Sequence, residues 1–99
     1  MTKIEKLYNS LVNHETTTKN GDMGYLVTIG ELLENGGRDE FFRTVKRYKD
    51  GTFSVSRNVY RGIEWDRGAR TYWAECYTDY CHSSPDLKKN TVVFIGFDF

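Results

Sequence analysis

One proline, two cysteines and no net charge set the first limits on this 99-residue chain. Cys76 and Cys81 are too few to form the staple set of a secreted mini-protein. Lys3, Glu5 and Lys6 open the chain without a following apolar stretch, so no secretory signal is expected and the cytoplasm is the expected compartment. The longest apolar run, Val92 to Ile95, is far too short to cross a bilayer, which argues against a membrane partner. Internal repeats, low-complexity tracts, a GxxxxGK[ST] loop and a GxGxxG loop are all missing, so the glycine pairs read as punctuation rather than phosphate cradles.

Charge is balanced at fourteen basic and fourteen acidic residues, so the whole molecule steers nucleic acid only weakly and is no acidic mimic of it. The balance is uneven along the chain. Residues 38–70 carry nine basic and five acidic groups, whereas residues 1–37 carry three and five and residues 71–99 two and four. A positive middle between negative flanks can bind phosphate locally.

Aromatic residues make up 15 % of the chain, with seven Tyr, six Phe and two Trp. Bulk of this kind belongs to a folded chain, and the length supports one modest core, hence a single domain over 1–99. Thr2-Lys3-Ile4-Glu5 fits a capping box. Ile4, Leu7, Tyr8, Leu11 and Val12 then recur on one helical face, which predicts a helix over residues 3–13 lying on a sheet. Residues 15–24 suit a surface loop or, at Asn20-Gly21, a short hairpin. Tyr25 to Val27 suits a strand. Thr28 is placed to cap a brief helix through Ile29, Leu32 and Leu33, with Gly36 and Gly37 ending it in the left-handed conformation.

Lys49-Asp50-Gly51 joins two alternating runs, and register decides how. A two-residue turn sets Val45 against Ser56. A three-residue loop with Gly51 left-handed sets Val45 against Val55 and Phe41 against Val59, and also Arg43 against Arg57, an unfavourable pairing of like charges. The apolar match favours the three-residue loop. Residues 62–68 read as a loop with Trp65 as its buried anchor. Residues 70–81 read as a strand with Tyr72, Ala74, Cys76, Thr78 and Tyr80 on one face and Trp73, Glu75, Tyr77 and Asp79 on the other. Val92 to Phe97 is apolar on both faces. Helix 1 can cover one of them, and the other calls for a second copy of the chain, as a homodimer, or for a bound partner.

These elements predict an α+β fold: a small antiparallel β-meander of four to five strands, with one N-terminal helix and a short second helix packed on one face. The expected core is Ile4, Leu7, Leu11, Leu32, Val45, Phe53, Val55, Val93, Ile95 and Phe97.

Catalytic and metal chemistry find little to build on. Cys76 and Cys81 differ by an odd number on a strand and so point apart, and with His82 and the distant His14 they do not make the four convergent ligands zinc requires. Cys81 and His82 are adjacent and diverge likewise. Asp79, His82 and Ser84 meet only if the chain bends at Ser83, and no oxyanion loop accompanies them. Glu64 and Asp66 flank Trp65 without the further carboxylates or the cleft of a hydrolase or divalent-ion site. No enzyme, cofactor or metal is therefore expected.

Two surfaces remain. Trp73, Glu75, Tyr77 and Asp79 alternate anchors with acids, as at a protein interface for a basic partner, unless that face is core beneath a helix. Arg43, Lys46, Arg47, Arg57, Tyr60 and Arg61 form a basic hairpin with aromatics, as in single-strand nucleic-acid binding, unless its long side chains only shield apolar surface. The expected function is a non-enzymatic protein-binding module. It would act as an inhibitor or adaptor by occupying a site on a larger protein partner, in the manner of phage or mobile-element anti-defence accessories. Nucleic-acid binding through hairpin 41–61 is the alternative.

Overall fold

A computed structural model describes residues 2–78 and 86–97. The chain is α+β: a five-stranded antiparallel sheet that curls, a separate two-stranded hairpin, an N-terminal helix and a short second helix. Helix α1 spans Lys3–Ser10. The Thr2 hydroxyl accepts from the Glu5 amide at 3.2 Å and donates to Glu5 Oε1 at 2.9 Å. Glu5 thus reaches back to the hydroxyl, not to the backbone amide of a full box. The helix stops at the Leu11 cap rather than at residue 13, which leaves Val12 exposed.

Strand β1 (Thr16–Thr17) pairs with β2 (Met23–Thr28), so residues 15–24 are a short hairpin, turned at Gly21 with φ +91°. Helix α2 (Ile29–Glu34) follows directly. Thr28 gives it a complete capping box with Glu31, and Gly36 is left-handed at φ +73°. Gly37 serves a different purpose from the one expected. A Cβ there would stand 2.9 Å from Ile4 Cδ1 and 3.0 Å from Leu32 Cδ2, so its missing side chain lets α1 close over the end of α2. Tyr8 of α1 also stacks on Tyr25 of β2, with ring centroids 6.0 Å apart.

Strands β3 (Arg43–Arg47) and β4 (Phe53–Val55) pair with Val45 opposite Val55. Tyr48 and Thr52 close a three-residue loop, with Gly51 at φ +88°. Beyond Ser56 the register slips. Phe42 bridges Tyr60, where the expected alignment would set it against residue 58. Arg43 does not oppose Arg57; it is paired with Phe94 on the other side. The slip separates the two guanidinium groups and carries Phe42 into full burial.

The last strand, β7 (Val92–Gly96), is the centre of the sheet. The strand order is β1-β2-β7-β3-β4, so the sheet is antiparallel but not a sequential meander. This position explains a strand apolar on both sides: Val93, Phe94 and Ile95 are all buried. Phe94 faces Phe53, while Val93 and Ile95 join the cluster of Val27, Ile29, Leu32 and Phe42. The folded chain itself therefore covers both faces, and the expected homodimer through this strand loses its premise. The curl brings the Lys19 amide to the Phe53 carbonyl at 2.8 Å, linking the two ends of the sheet.

Strands β5 (Tyr60–Asp66) and β6 (Thr71–Cys76) form the separate hairpin. Residues 62–66, expected in a loop, are strand, and Trp65 is 50 % exposed rather than a buried anchor. Of the expected core, Leu32, Phe53, Val93 and Ile95 are buried. Ile4, Leu7, Leu11, Val45 and Val55 are only half-buried, because α1 is peripheral and β4 is an edge strand. Phe97 lies past the end of β7 and is 48 % exposed, resting edge-on against Tyr25. Ile63, Ala74 and Leu87 fill the core from the hairpin side. Among the described residues no helix is long and apolar enough to cross a membrane.

Candidate protein-binding surface

The hairpin of β5 and β6 is not regular, and its irregularity builds the site. Arg61 pairs with Glu75, but the next pairs are Glu64 with Trp73 and Trp65 with Tyr72. One extra residue sits in β5 at Gly62 and Ile63, with Gly62 at φ +77°. A left-handed residue of this kind is what a β-bulge needs, and glycine supplies it without a steric penalty. The bulge is fastened to the loop before β3. The Ile63 amide donates to the Arg38 carbonyl at 3.0 Å, and Arg38 Nε donates to the Ile63 carbonyl at 3.0 Å.

Positions 61 and 64 would face opposite ways on a regular strand. The bulge puts both on the face of Trp73, Glu75 and Tyr77, which also bears the Arg38–Glu64 ion pair. The structure thus brings three of the four expected contact residues together. Trp73 is 39 % and Tyr77 51 % exposed, so this face is not core beneath a helix. Asp79 lies outside the described residues.

Tyr77 meets Phe41 edge-to-face with centroids 5.3 Å apart, and the Arg61 guanidinium lies 5.1 Å from the Phe41 ring and 5.7 Å from that of Tyr77. These contacts hold Tyr77 and Phe41 in place before any partner arrives. A shallow recess of about 200 Å³ opens among Arg38, Arg61, Glu64, Trp73, Glu75 and Tyr77. Its charge is mixed, two cations to three carboxylates: Arg61 opposes Glu75, and Arg38 pairs with both Glu64 and Asp39. Phe41 also borders a second recess of about 400 Å³, walled by Tyr8, Tyr25 and Phe97, with Glu40 at its side. There the Tyr8 hydroxyl donates to Glu40 Oε1 at 2.6 Å. Burial first, then that hydrogen bond and the carboxylate's charge, raise the Tyr8 pKa above its ordinary value.

The six residues of the basic hairpin do not converge. Tyr60 is buried against Phe42, with centroids 5.7 Å apart, so it offers no free ring for stacking. Arg43 is half-buried beside β7, and Arg61 belongs to the aromatic surface. Lys46 and Arg47 are exposed on β3, where Lys46 and Lys19 flank the Tyr48 ring at 5.6 and 4.7 Å. Arg57 is exposed beyond β4. Glu64 and Asp66 are each engaged elsewhere, Glu64 with Arg38 and Asp66 Oδ1 with the Gly68 and Ala69 amides at 2.9 and 3.2 Å. Cys76 is disulfide-bonded; Cys81, His82, Ser83 and Ser84 lie outside the described residues. Among the described residues no three of His, Cys, Asp or Glu gather as metal ligands.

Sequence reasoning found Trp73, Glu75 and Tyr77 by alternation but missed Arg38, Phe41, Arg61 and Glu64 as their neighbours. The available signal was Gly62, a glycine inside an otherwise strand-like run. No protein-family model, curated protein or solved structure matches the chain.

Proposed function

We propose that this chain is a non-enzymatic binding module that docks on a larger protein through Trp73 and Tyr77, with Phe41, Arg61 and Glu75 around them. The observation that carries this reading is the exposure of two large aromatics on a hairpin clamped at its bulge. Trp, Tyr and Arg dominate binding energy where they are rigid and can be desolvated together. A small domain presenting such a patch acts by steric occupation, as an inhibitor or as an adaptor. The mixed charge of Arg38, Arg61, Asp39, Glu64 and Glu75, with the acids in slight excess, suits a partner surface that carries charges of both signs and more basic than acidic groups.

The test is affinity capture from nuclease-treated lysate of the cells that make the protein, comparing wild type with Trp73→Ala/Tyr77→Ala. One stoichiometric protein should be retained by wild type and lost about tenfold or more by the variant. Both side chains are partly in water, so the variant should keep its cooperative melt. Equal retention of that protein by the variant, or collapse of its fold, would overturn the reading.

A further inference from the structure

At the far end of the β5–β6 hairpin a second site combines one open aromatic wall with three cations. We infer that it binds a nucleotide unit, with the base against Trp65 and the phosphate among Arg70, Lys88 and Lys89. The cavity measures about 480 Å³ and is lined by Trp65, Arg70, Tyr72, Lys88 and Lys89. That size falls in the range of about 300–1,000 Å³ usual for small-molecule sites. Among the described residues no carboxylate lines it.

The bulge that builds the protein-binding surface also explains this one. It turns Trp65 to the face of Tyr72, its strand partner, and the two rings meet edge-to-face with centroids 4.8 Å apart. This is the core-facing side of the hairpin, but Trp65 stands beyond the end of the core and stays half in water. Tyr72 steadies it from one side, and the half of the indole that stays in water is where a base would stack.

The cations are held on fixed backbone. Leu87, fully buried, bridges Tyr72 on β6 and so anchors the start of the 87–89 segment. The Lys89 carbonyl accepts from the Gly30 amide at 2.9 Å, and a Cβ on Gly30 would stand 3.1 Å from that carbonyl oxygen. Lys88 Nζ donates to the Arg70 carbonyl at 3.2 Å, which ties the ammonium to the rim. Of the two carboxylates that flank Trp65 in sequence, Glu64 pairs with Arg38 on the other face and Asp66 turns its Oδ1 to the amides of Gly68 and Ala69. A stacking ring beside three clustered cations matches a flat aromatic ring bearing phosphate, the chemistry of a nucleotide.

This site shares no side chain with the Trp73–Tyr77 surface, so the two proposals fail separately. The probes are AMP and a short oligoadenylate, read at low salt by fluorescence of Trp65 in a Trp73→Phe background. Both, or the oligonucleotide alone, should quench Trp65 saturably. Quenching by AMP assigns a free nucleotide; quenching by the oligonucleotide alone assigns a single strand. Lys88→Ala/Lys89→Ala should weaken binding on the order of tenfold, and added salt should weaken it further. Should Trp73→Phe fail to fold, wild type is compared with Trp65→Phe, and the quenching should be present in the first and lost in the second. The inference is overturned if neither probe quenches up to millimolar concentration. It is equally overturned if pyrophosphate competes as tightly as AMP, or if the double lysine variant binds undiminished.

Discussion

The Tyr8 hydroxyl, 2.6 Å from Glu40 Oε1, links α1 to the loop before β3. Burial and the neighbouring carboxylate both disfavour its phenolate, so its folded pKa lies above the ordinary value of 10.0. The unfolded chain therefore releases this proton at a lower pH than the folded one. The resulting stability is fully present below about pH 10 and is lost as pH rises from there toward the folded pKa. Urea midpoints should thus fall between pH 9 and pH 11 in wild type. Tyr8→Phe should flatten that fall while costing about 1–2 kcal/mol at pH 8, since it removes a hydrogen bond to a charged acceptor. A fall of equal steepness in both proteins would assign the alkaline sensitivity to other tyrosines. Asp50 follows the opposite logic at the hairpin turn. Hydrogen bonds from the Thr52 hydroxyl and amide lower its pKa, so the turn gains from an ionised Asp50 and loses that gain in acid.

At the scale of single elements, local chemistry explains most of what forms. The Thr28–Glu31 capping box satisfies donors at both positions, and Thr28→Ala should cost about 1–2 kcal/mol, measured as a shift of the denaturation midpoint. Both caps, and the three-residue loop at Gly51, were legible in the sequence because every partner lies within a few residues. What could not be read locally was non-local. The alternation of Val45 and Val55 set the β3–β4 register near the turn, yet nothing nearby announced the slip that pairs Phe42 with Tyr60. Glycines at both ends of residues 62–68 read as a loop, whereas Gly62 marks a bulge inside β5. The same misreading hid the neighbours of the candidate site. Trp73, Glu75 and Tyr77 share a face by the two-residue period of a strand, but Arg61 and Glu64 join them only through one inserted residue. Whether that face met solvent depended on the packing of α1 and α2, which no periodicity on β6 contains. Gly62→Ala, forced to hold φ +77°, should lose about 1–2 kcal/mol and loosen the Arg61–Tyr77 contact. Near-UV circular dichroism of the aromatic bands would register both effects.

Across the whole molecule, two β units depend on a few shared side chains. Phe42 and Tyr60 bridge the five-stranded sheet to the hairpin, and Leu87 closes the other side against Tyr72. Thr71 reinforces that closure, its hydroxyl donating to the Leu87 carbonyl at 2.9 Å. Leu87→Ala should cost about 2–5 kcal/mol in equilibrium unfolding, because a fully buried side chain leaves a cavity that both units line. A cost below about 1 kcal/mol would mean that the hairpin is held elsewhere.

The placement of β7 between β2 and β3 also bears on the order of events during synthesis. Strands β2 and β3 emerge early but are bonded to each other only through residues 92–96. A ribosome adding about 5–20 residues per second takes several seconds to pass from Thr28 to Val92. During that interval β2 has only the two-residue β1 beside it, and its other edge stays unpaired. The five-stranded sheet therefore cannot close before residues 92–96 are made, and any β2 strand formed earlier has one edge without its final partner.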